Sequence, residues 1–214
     1  MTCLLERVLA VPVTKQVVVV DDGSKDGSRA ALERFAQAHP EVELAFHEVN
    51  RGKGAAIRTG VGRARGAYTI IQDADLEYDP CDFERLLAVA RERGARVVYG
   101  SRILARQPYS YRRYYWGGRL VSLVASLLYG QRITDEPTCY KLFETELLKS
   151  LPLREDGFGF CPEVTALVCR RGERIVEVPI HYAPRSKQEG KKIRWTDGIE
   201  AVWILLKHRF KRRG

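Results

Sequence analysis

Apolar runs and amphipathic stretches alternate along most of the chain. Residues 3–10 carry Leu4, Leu5, Val8 and Leu9 at helical spacing, and Pro12 closes that helix. Gln16-Val17-Val18-Val19-Val20 is a continuous apolar run that predicts a strand buried on both faces. It stops at Asp21-Asp22-Gly23-Ser24. Lys25-Asp26-Gly27-Ser28 then predicts a turn with Asp26 or Ser28 as helix N-cap. Residues 29–38 predict a helix with Leu32 and Phe35 inward, and 42–46 alternate as a strand does. Asn50-Arg51-Gly52-Lys53-Gly54 is a basic, glycine-rich loop opening a helix that runs to about Arg65. Tyr68-Thr69-Ile70-Ile71 predicts another buried strand. It must end where Asp73 appears, because an unpaired carboxylate is too costly to bury.

The alternation continues. Residues 82–93 predict a helix and 96–99 a strand ending in Gly100-Ser101-Arg102. Residues 116–129 form an apolar helical stretch with Leu120, Val121, Leu123, Val124, Leu127 and Leu128, flanked by tyrosines, Trp116 and arginines. It reads equally as a core helix or as one lying at a membrane interface. A polar loop over 132–138, a strand over 139–143, a short helix over 144–150 and a turn over 156–160 follow. Next come a helix over 162–171, with Glu163 in its first turn, and a strand over 175–180. Residues 184–194 are polar, basic and aperiodic, which predicts a mobile loop. A last helix from Trp195 to about Phe210 places Ile199, Val202, Trp203, Leu205 and Leu206 ahead of a basic tail. Strand and helix alternation predicts an α/β fold, a mostly parallel sheet with helices on both faces. The expected division is one domain over 1–183, the loop over 184–194, and an amphipathic helix with a basic tail over 195–214.

At 214 residues the chain has the length of a single domain with a real core. A net charge of +9 calls for an anionic partner: nucleic acid, a phosphorylated substrate or an anionic membrane surface. Cys3, Cys81, Cys139, Cys161 and Cys169 are dispersed without a C-x-x-C pair. That predicts reduced thiols in a cytoplasmic protein, not a disulfide frame or a zinc site. The start lacks a basic segment followed by a long apolar run, so no signal peptide is expected. No stretch has the length of a membrane span.

The chemistry gathers at strand ends. Asp73 and Asp75 lie one residue apart just past an apolar segment, and alternate residues of an extended chain point the same way. Two carboxylates so placed repel unless a cation lies between them, and a hard divalent ion suits oxygen ligands. Asp21-Asp22 ends a second strand and Ser101-Arg102 a third. In open α/β sheets that edge is where ligands bind. A purely nucleic-acid-binding surface would not require carboxylates at two strand ends, so no nucleic acid partner is expected.

Five motifs together resemble the family 2 glycosyltransferases of GT-A fold, and within them the polyprenyl-phosphate sugar transferases. They are Val18 through Ser28 (VVVDDGSKDGS), Asn50 through Gly54, Asp73-Ala74-Asp75, Gly100-Ser101-Arg102 and Val178-Pro179-Ile180-x-Tyr182. The resemblance implies an inverting, metal-dependent transferase moving sugar from a GDP-mannose or UDP-glucose type donor to a polyprenyl phosphate. It places the nucleotide at Asp21, Asp22, Gly23, Ser24, Lys53 and Asp73, with Asp22 toward the base and ribose. Asp73 and Asp75 would hold Mg²⁺ or Mn²⁺ on the diphosphate, and Arg102 would face the donor or acceptor phosphates. Arg119, Arg185 and Lys192 would meet the acceptor phosphate. Glu163, with Asp135, is a candidate for holding sugar or acceptor. A peripheral site on the cytoplasmic membrane face is implied. The chain departs from the family in starting inside the helix that should follow a first, central strand. A transferase acting on a saccharide or other hydroxyl, and an inactive truncated relative, stand as alternatives.

Overall fold

A computed structural model describes residues 2–106, 112–184 and 195–211, with side chains for all of these except 112–114 and 195. Among the described residues, the strands form two separate sheets. β1 (Val17–Asp21) pairs in parallel with β2 (Val42–Phe46), in register from Val17 opposite Val42 to Asp21 opposite Phe46. The second sheet has the order β3-β5-β4-β6, from β3 (Tyr68–Ile70), β4 (Val97–Ser101), β5 (Lys141–Glu144) and β6 (Ile175–Pro179). β4 and β6 are parallel, while β5 runs antiparallel to both β3 and β4. The expectation of a mostly parallel sheet therefore needs correcting at β5. Hydrophobic pattern carries no strand direction, and the connection from β4 through residues 102–140 turns the chain before β5 begins.

Among the described residues, eight helices flank the sheets: α1 (Thr2–Ala10), α2 (Ser28–Ala38), α3 (Lys53–Arg63), α4 (Asp82–Glu92), α5 (Arg112–Tyr129), α6 (Thr145–Ser150), α7 (Phe160–Arg170) and α8 (Trp195–Phe210). At the start of α2 the cap position falls to Gly27, at φ 80. Asp26 supplies the acceptor, its Oδ1 taking the Ser28 N–H at 3.1 Å. On β4, Val98 joins one hydrophobic cluster with Leu4, Val8, Phe83 and Leu86, while Val97 and Tyr99 join another with Val61, Phe143, Phe160 and Val164. Neighbouring residues of a strand point to opposite faces, so α1 and α4 cover one face of the sheet and α3 and α7 the other. α8 packs on α5 and α7: Leu205 is buried with Val121 and Ala166, and Tyr129 donates its hydroxyl to the Leu205 carbonyl at 2.8 Å.

The two sheets do not join. Among the described residues, β1 has no ladder partner but β2, and β3 none but β5. Val17 through Val20, which the sequence reads as buried on both faces, are only half-buried, and so are Tyr68, Thr69 and Ile70. Between the two strands lies a cavity of about 670 Å³ lined by both.

Candidate active site

The C-terminal ends of β1 and β3 open on the same cavity, whose lining includes Asp21, Asp22, Ser24, Lys53, Gln72 and Asp73. Asp22 is clasped by the glycine-rich loop. Its carboxylate accepts the backbone N–H of Arg51 at 2.9 Å and of Gly52 at 2.7 Å, and sits 2.6 Å from His47 Nδ1. Partial burial acts to raise its pKa, but the Arg51 and Gly52 amides and His47 outweigh it and hold the carboxyl below the usual aspartate range. His47 is steadied on its other side, where Nε2 lies 2.9 Å from Thr59 Oγ1. His47 is a site residue that sequence reasoning missed; its place one residue past β2 offered no signal. Asp22, expected at the base and ribose, thus has its carboxylate engaged in holding the loop. Asp21 is buried, and its Oδ2 accepts the Ser24 N–H at 3.3 Å. Gly23 is required by the close approach of the Asn50 backbone: a Cβ there would lie 2.7 Å from the Asn50 nitrogen, at a φ of +73°.

The loop leads directly into α3, which brings Lys53 to Asp73. The Lys53 ammonium lies 2.6 and 2.7 Å from the two Asp73 oxygens and 3.0 Å from Cys139 Sγ. Burial acts against the lysine charge, but Cys139 and Asp73 beside it raise its pKa well above the ordinary value. The Cys139 thiol is itself pushed up by burial, and Asp73 is the carboxylate that meets the ammonium. β3 ends at Ile70, earlier than expected, and Asp75 lies in a bend, half-exposed, with Oδ1 accepting the Glu77 N–H at 3.2 Å. The simple alternation of an extended segment therefore does not set the direction of Asp75; the bend does.

Arg102 is not spread toward open solvent. Its guanidinium pairs with both oxygens of Asp135, Nη2 to Oδ1 at 2.7 Å and Nε to Oδ2 at 2.8 Å, and its backbone N–H adds a third bond at 2.8 Å. The guanidinium carbon stands 5.0 Å from the Tyr182 ring centroid. Asp135 is thus engaged by Arg102. Arg119 donates to the Thr134 carbonyl at 3.3 Å, one residue from that pair. Arg185 and Lys192 lie outside the described residues.

Glu163 stands apart from these residues. It does not line the cavity. It is buried at the start of α7, where its carboxylate accepts the N–H groups of Arg154 at 2.9 Å and Glu155 at 2.9 Å. Burial raises its pKa against the lowering effect of those amides. Position in a helix's first turn was readable from sequence; the distant amides that claim the carboxylate were not. The strap that Glu163 holds is the one against which α3 begins. A Cβ on Gly54 would fall 2.1 Å from the Glu155 carbonyl oxygen, and Ala55 N–H donates to the Asp156 carbonyl at 3.1 Å. Gly54→Ala is expected to cost about 2–3 kcal/mol, the range of a serious packing clash, read by urea denaturation. Gly62→Ala, with open space around its Cβ, is the control and should be neutral or slightly stabilising. Equal behaviour of the two variants would show that the close approach does not exist.

Residues 4–151 match the family described as glycosyl transferase family 2, and the chain belongs to that family. An undecaprenyl-phosphate mannosyltransferase of Micrococcus luteus is 32% identical over 222 residues, spanning 94% of this chain and 88% of that one. A polyprenol monophosphomannose synthase of Mycolicibacterium smegmatis is 32% identical, over 92% of this chain and 79% of its own. A dolichyl-phosphate beta-glucosyltransferase of Trichomonas vaginalis is 29% identical over 91% of this chain, which spans only 61% of that relative's length. Among solved structures, mannosyl-3-phosphoglycerate synthase from Rubrobacter xylanophilus superposes with a TM-score of 0.72 at 17% identity, over 99% of this chain and 72% of its own. The fold is that of the GT-A glycosyltransferases.

Proposed function

We propose that this chain transfers a sugar from a nucleoside-diphosphate sugar to a polyprenyl phosphate. The observation that carries the proposal is the meeting of Asp22, Lys53 and Asp73 at one cavity, across the ends of two strands, with Asp75 two residues further along the chain. The relatives named as undecaprenyl-, polyprenol- and dolichyl-phosphate enzymes support the acceptor class.

Asp73 and Asp75 are the residues that would hold a hard divalent ion. Asp73 and Asp75 offer carboxylate oxygens, and magnesium is commonly held by one or two carboxylates with the remaining positions given to water and phosphate oxygens. When bound, such an ion neutralises charge developing on the leaving diphosphate. Lys53, held charged by Asp73, places a cation beside the same phosphates. The amides of Arg51 and Gly52, fixed on Asp22, keep the loop that carries Lys53 in place. The acceptor phosphate is already ionised near neutral pH, so the site needs no strong general base. That fits a Glu163 turned away to backbone amides. The bidentate Arg102–Asp135 pair holds the residues that follow β4 and the 132–138 loop together on the acceptor side. The test is transfer of labelled GDP-mannose and UDP-glucose to undecaprenyl or dolichyl phosphate, with Mn²⁺, with Mg²⁺ and with EDTA. Lipid product that requires metal is expected. Product only on saccharide or other hydroxyl acceptors, or none with any donor, would overturn the proposal.

A membrane-facing surface accompanies this reading. α5 exposes Trp116, Leu120, Leu123 and Leu127 at helical spacing, and α8, packed beside it, exposes Ile199, Trp203 and Phe210 with Lys207 and Arg209, Lys211 following at its end. Such a pairing of an apolar face with cations suits the surface of an anionic bilayer. No helix among the described residues is long and apolar enough to cross one. Trp203→Glu should weaken binding to phosphatidylglycerol vesicles about tenfold or more, from the loss of one large buried apolar side chain, as read by flotation. Unchanged flotation of Trp203→Glu and Leu123→Glu together would remove this surface from the proposal.

A further inference from the structure

We infer that Glu155, Glu163 and His208 form a second metal site, apart from the Asp73–Asp75 pair, that takes a borderline divalent ion such as Zn²⁺. The three come from separate segments: the strap before α7, the first turn of α7 and the last turn of α8. One ligand atom from each lies within 4.8 Å of the other two. None of them lines the cavity between β1 and β3. His208 is the residue that points to an ion. Its side chain is 8% exposed, and Nε2 is aimed at Glu163 Oε1 across 3.8 Å. That is too long for a hydrogen bond. Among the described residues neither ring nitrogen makes one; the Arg170 guanidinium engages only the His208 carbonyl. A buried polar side chain ordinarily has a partner. Two ligands of one zinc ion stand about 3–4 Å apart, since each lies about 2.0–2.2 Å from the metal, and the observed separation falls in that range.

The carboxylates suit the role. Glu163 Oε1 accepts one N–H, from Arg154 at 3.0 Å, and keeps a lone pair, while Oε2 accepts those of Arg154 and Glu155, both at 2.9 Å. These amides fix the carboxylate, as hydrogen bonds to the carboxylate ligands of a metal do. Glu155 Oε1 already meets a cation, the Lys207 ammonium at 3.2 Å, on a half-exposed side chain that can swing out. Burial and the charges of Lys207, Lys211 and Arg170 lower the His208 pKa, which favours the neutral imidazole that metals bind. Two carboxylates offset the charge of a divalent ion, and the imidazole selects zinc over magnesium, which prefers oxygen ligands. An ion held here pins α8 to the strap. The same strap meets the start of α3, where a Cβ on Gly54 would strike the Glu155 carbonyl and Ala55 N–H bonds to the Asp156 carbonyl. The site thus couples the helix bearing Trp203 to the helix bearing Lys53.

The test is Zn²⁺ binding to the full chain, measured by competition with a chromophoric chelator, with melting midpoint and zinc X-ray absorption as further readouts. None of these depends on sugar transfer. The Asp75→Ala background weakens competing binding at the strand ends. One zinc ion is expected, in a shell of oxygen and imidazole nitrogen, and it should raise the midpoint by about 5 °C or more at saturation. His208→Gln and Glu155→Gln should each weaken binding about a hundredfold or more, the loss of a ligand costing at least as much as the loss of a group that orients one. Lys207→Gln removes the competing ammonium and should tighten binding severalfold. Glu155 and Lys207 are both partly exposed, so these two variants read the site even if His208→Gln does not fold. Parent affinity in Glu155→Gln, or weaker binding in Lys207→Gln, would overturn the inference. A sulfur shell would assign the ion to a cysteine, and binding that is lost only when Asp73 is also changed would assign it to the strand ends; either result would overturn it as well.

Discussion

Asp75→Ala is expected to lower lipid-linked sugar transfer by about a hundred- to a thousandfold while leaving the fold intact, the size of loss seen when one preorganised electrostatic contact to developing charge is removed. Asp75 is half-exposed in a bend and touches the Glu77 amide. Its removal exposes no core and should move the melting midpoint by no more than about 2 °C, as for a surface substitution. Asp73→Asn is different in kind. It takes the counter-ion from Lys53, whose ammonium lies 2.6 Å from the carboxylate. It should therefore lose both transfer and stability, with Asp73→Asn/Lys53→Met regaining stability and not transfer. The decisive measurement is turnover against metal concentration for each variant. If Asp75→Ala transfers sugar at the parent rate, and EDTA has no effect, the metal role of these carboxylates is wrong.

Asp135→Ala is expected to produce the largest stability loss of any single change near the site, about 3–5 kcal/mol, because it strands a buried cation. The side chains of Arg102 and Asp135 are 11% and 2% exposed. With the carboxylate gone, the Arg102 guanidinium remains against Tyr182 with its bidentate partner missing. For a domain of this size that corresponds to a fall of roughly 10 °C in melting midpoint. Arg65→Ala is the contrast: that arginine pairs with Glu43 but is 72% exposed, and screening leaves such a pair about 0–1 kcal/mol. Urea denaturation of both, with Arg102→Met/Asp135→Leu as the apolar replacement, reads the difference. A loss below about 1 kcal/mol for Asp135→Ala would show that the pair is hydrated and contributes little to the fold.

The order of strands and helices was legible in the sequence because it is written in local periodicity: four valines ending in Asp21-Asp22, an alternating 42–46, and the 3.6-residue spacing of α2, α4 and α8. The carboxylates at the ends of β1 and β3 were legible for the same reason, since an apolar run must stop where charge begins. Strand direction and partner choice are not local quantities. Only the tertiary structure decided that β5 runs against its neighbours, that β1 and β3 border one cavity, that Asp22 clasps the Arg51–Gly52 amides with His47, and that Arg102 is taken by Asp135. Glu163 shows the physical reason most plainly. A carboxylate in a helix's first turn has the same sequence whether it faces a substrate or the amides of Arg154 and Glu155, and what it faces depends on which distant segment the fold brings against it.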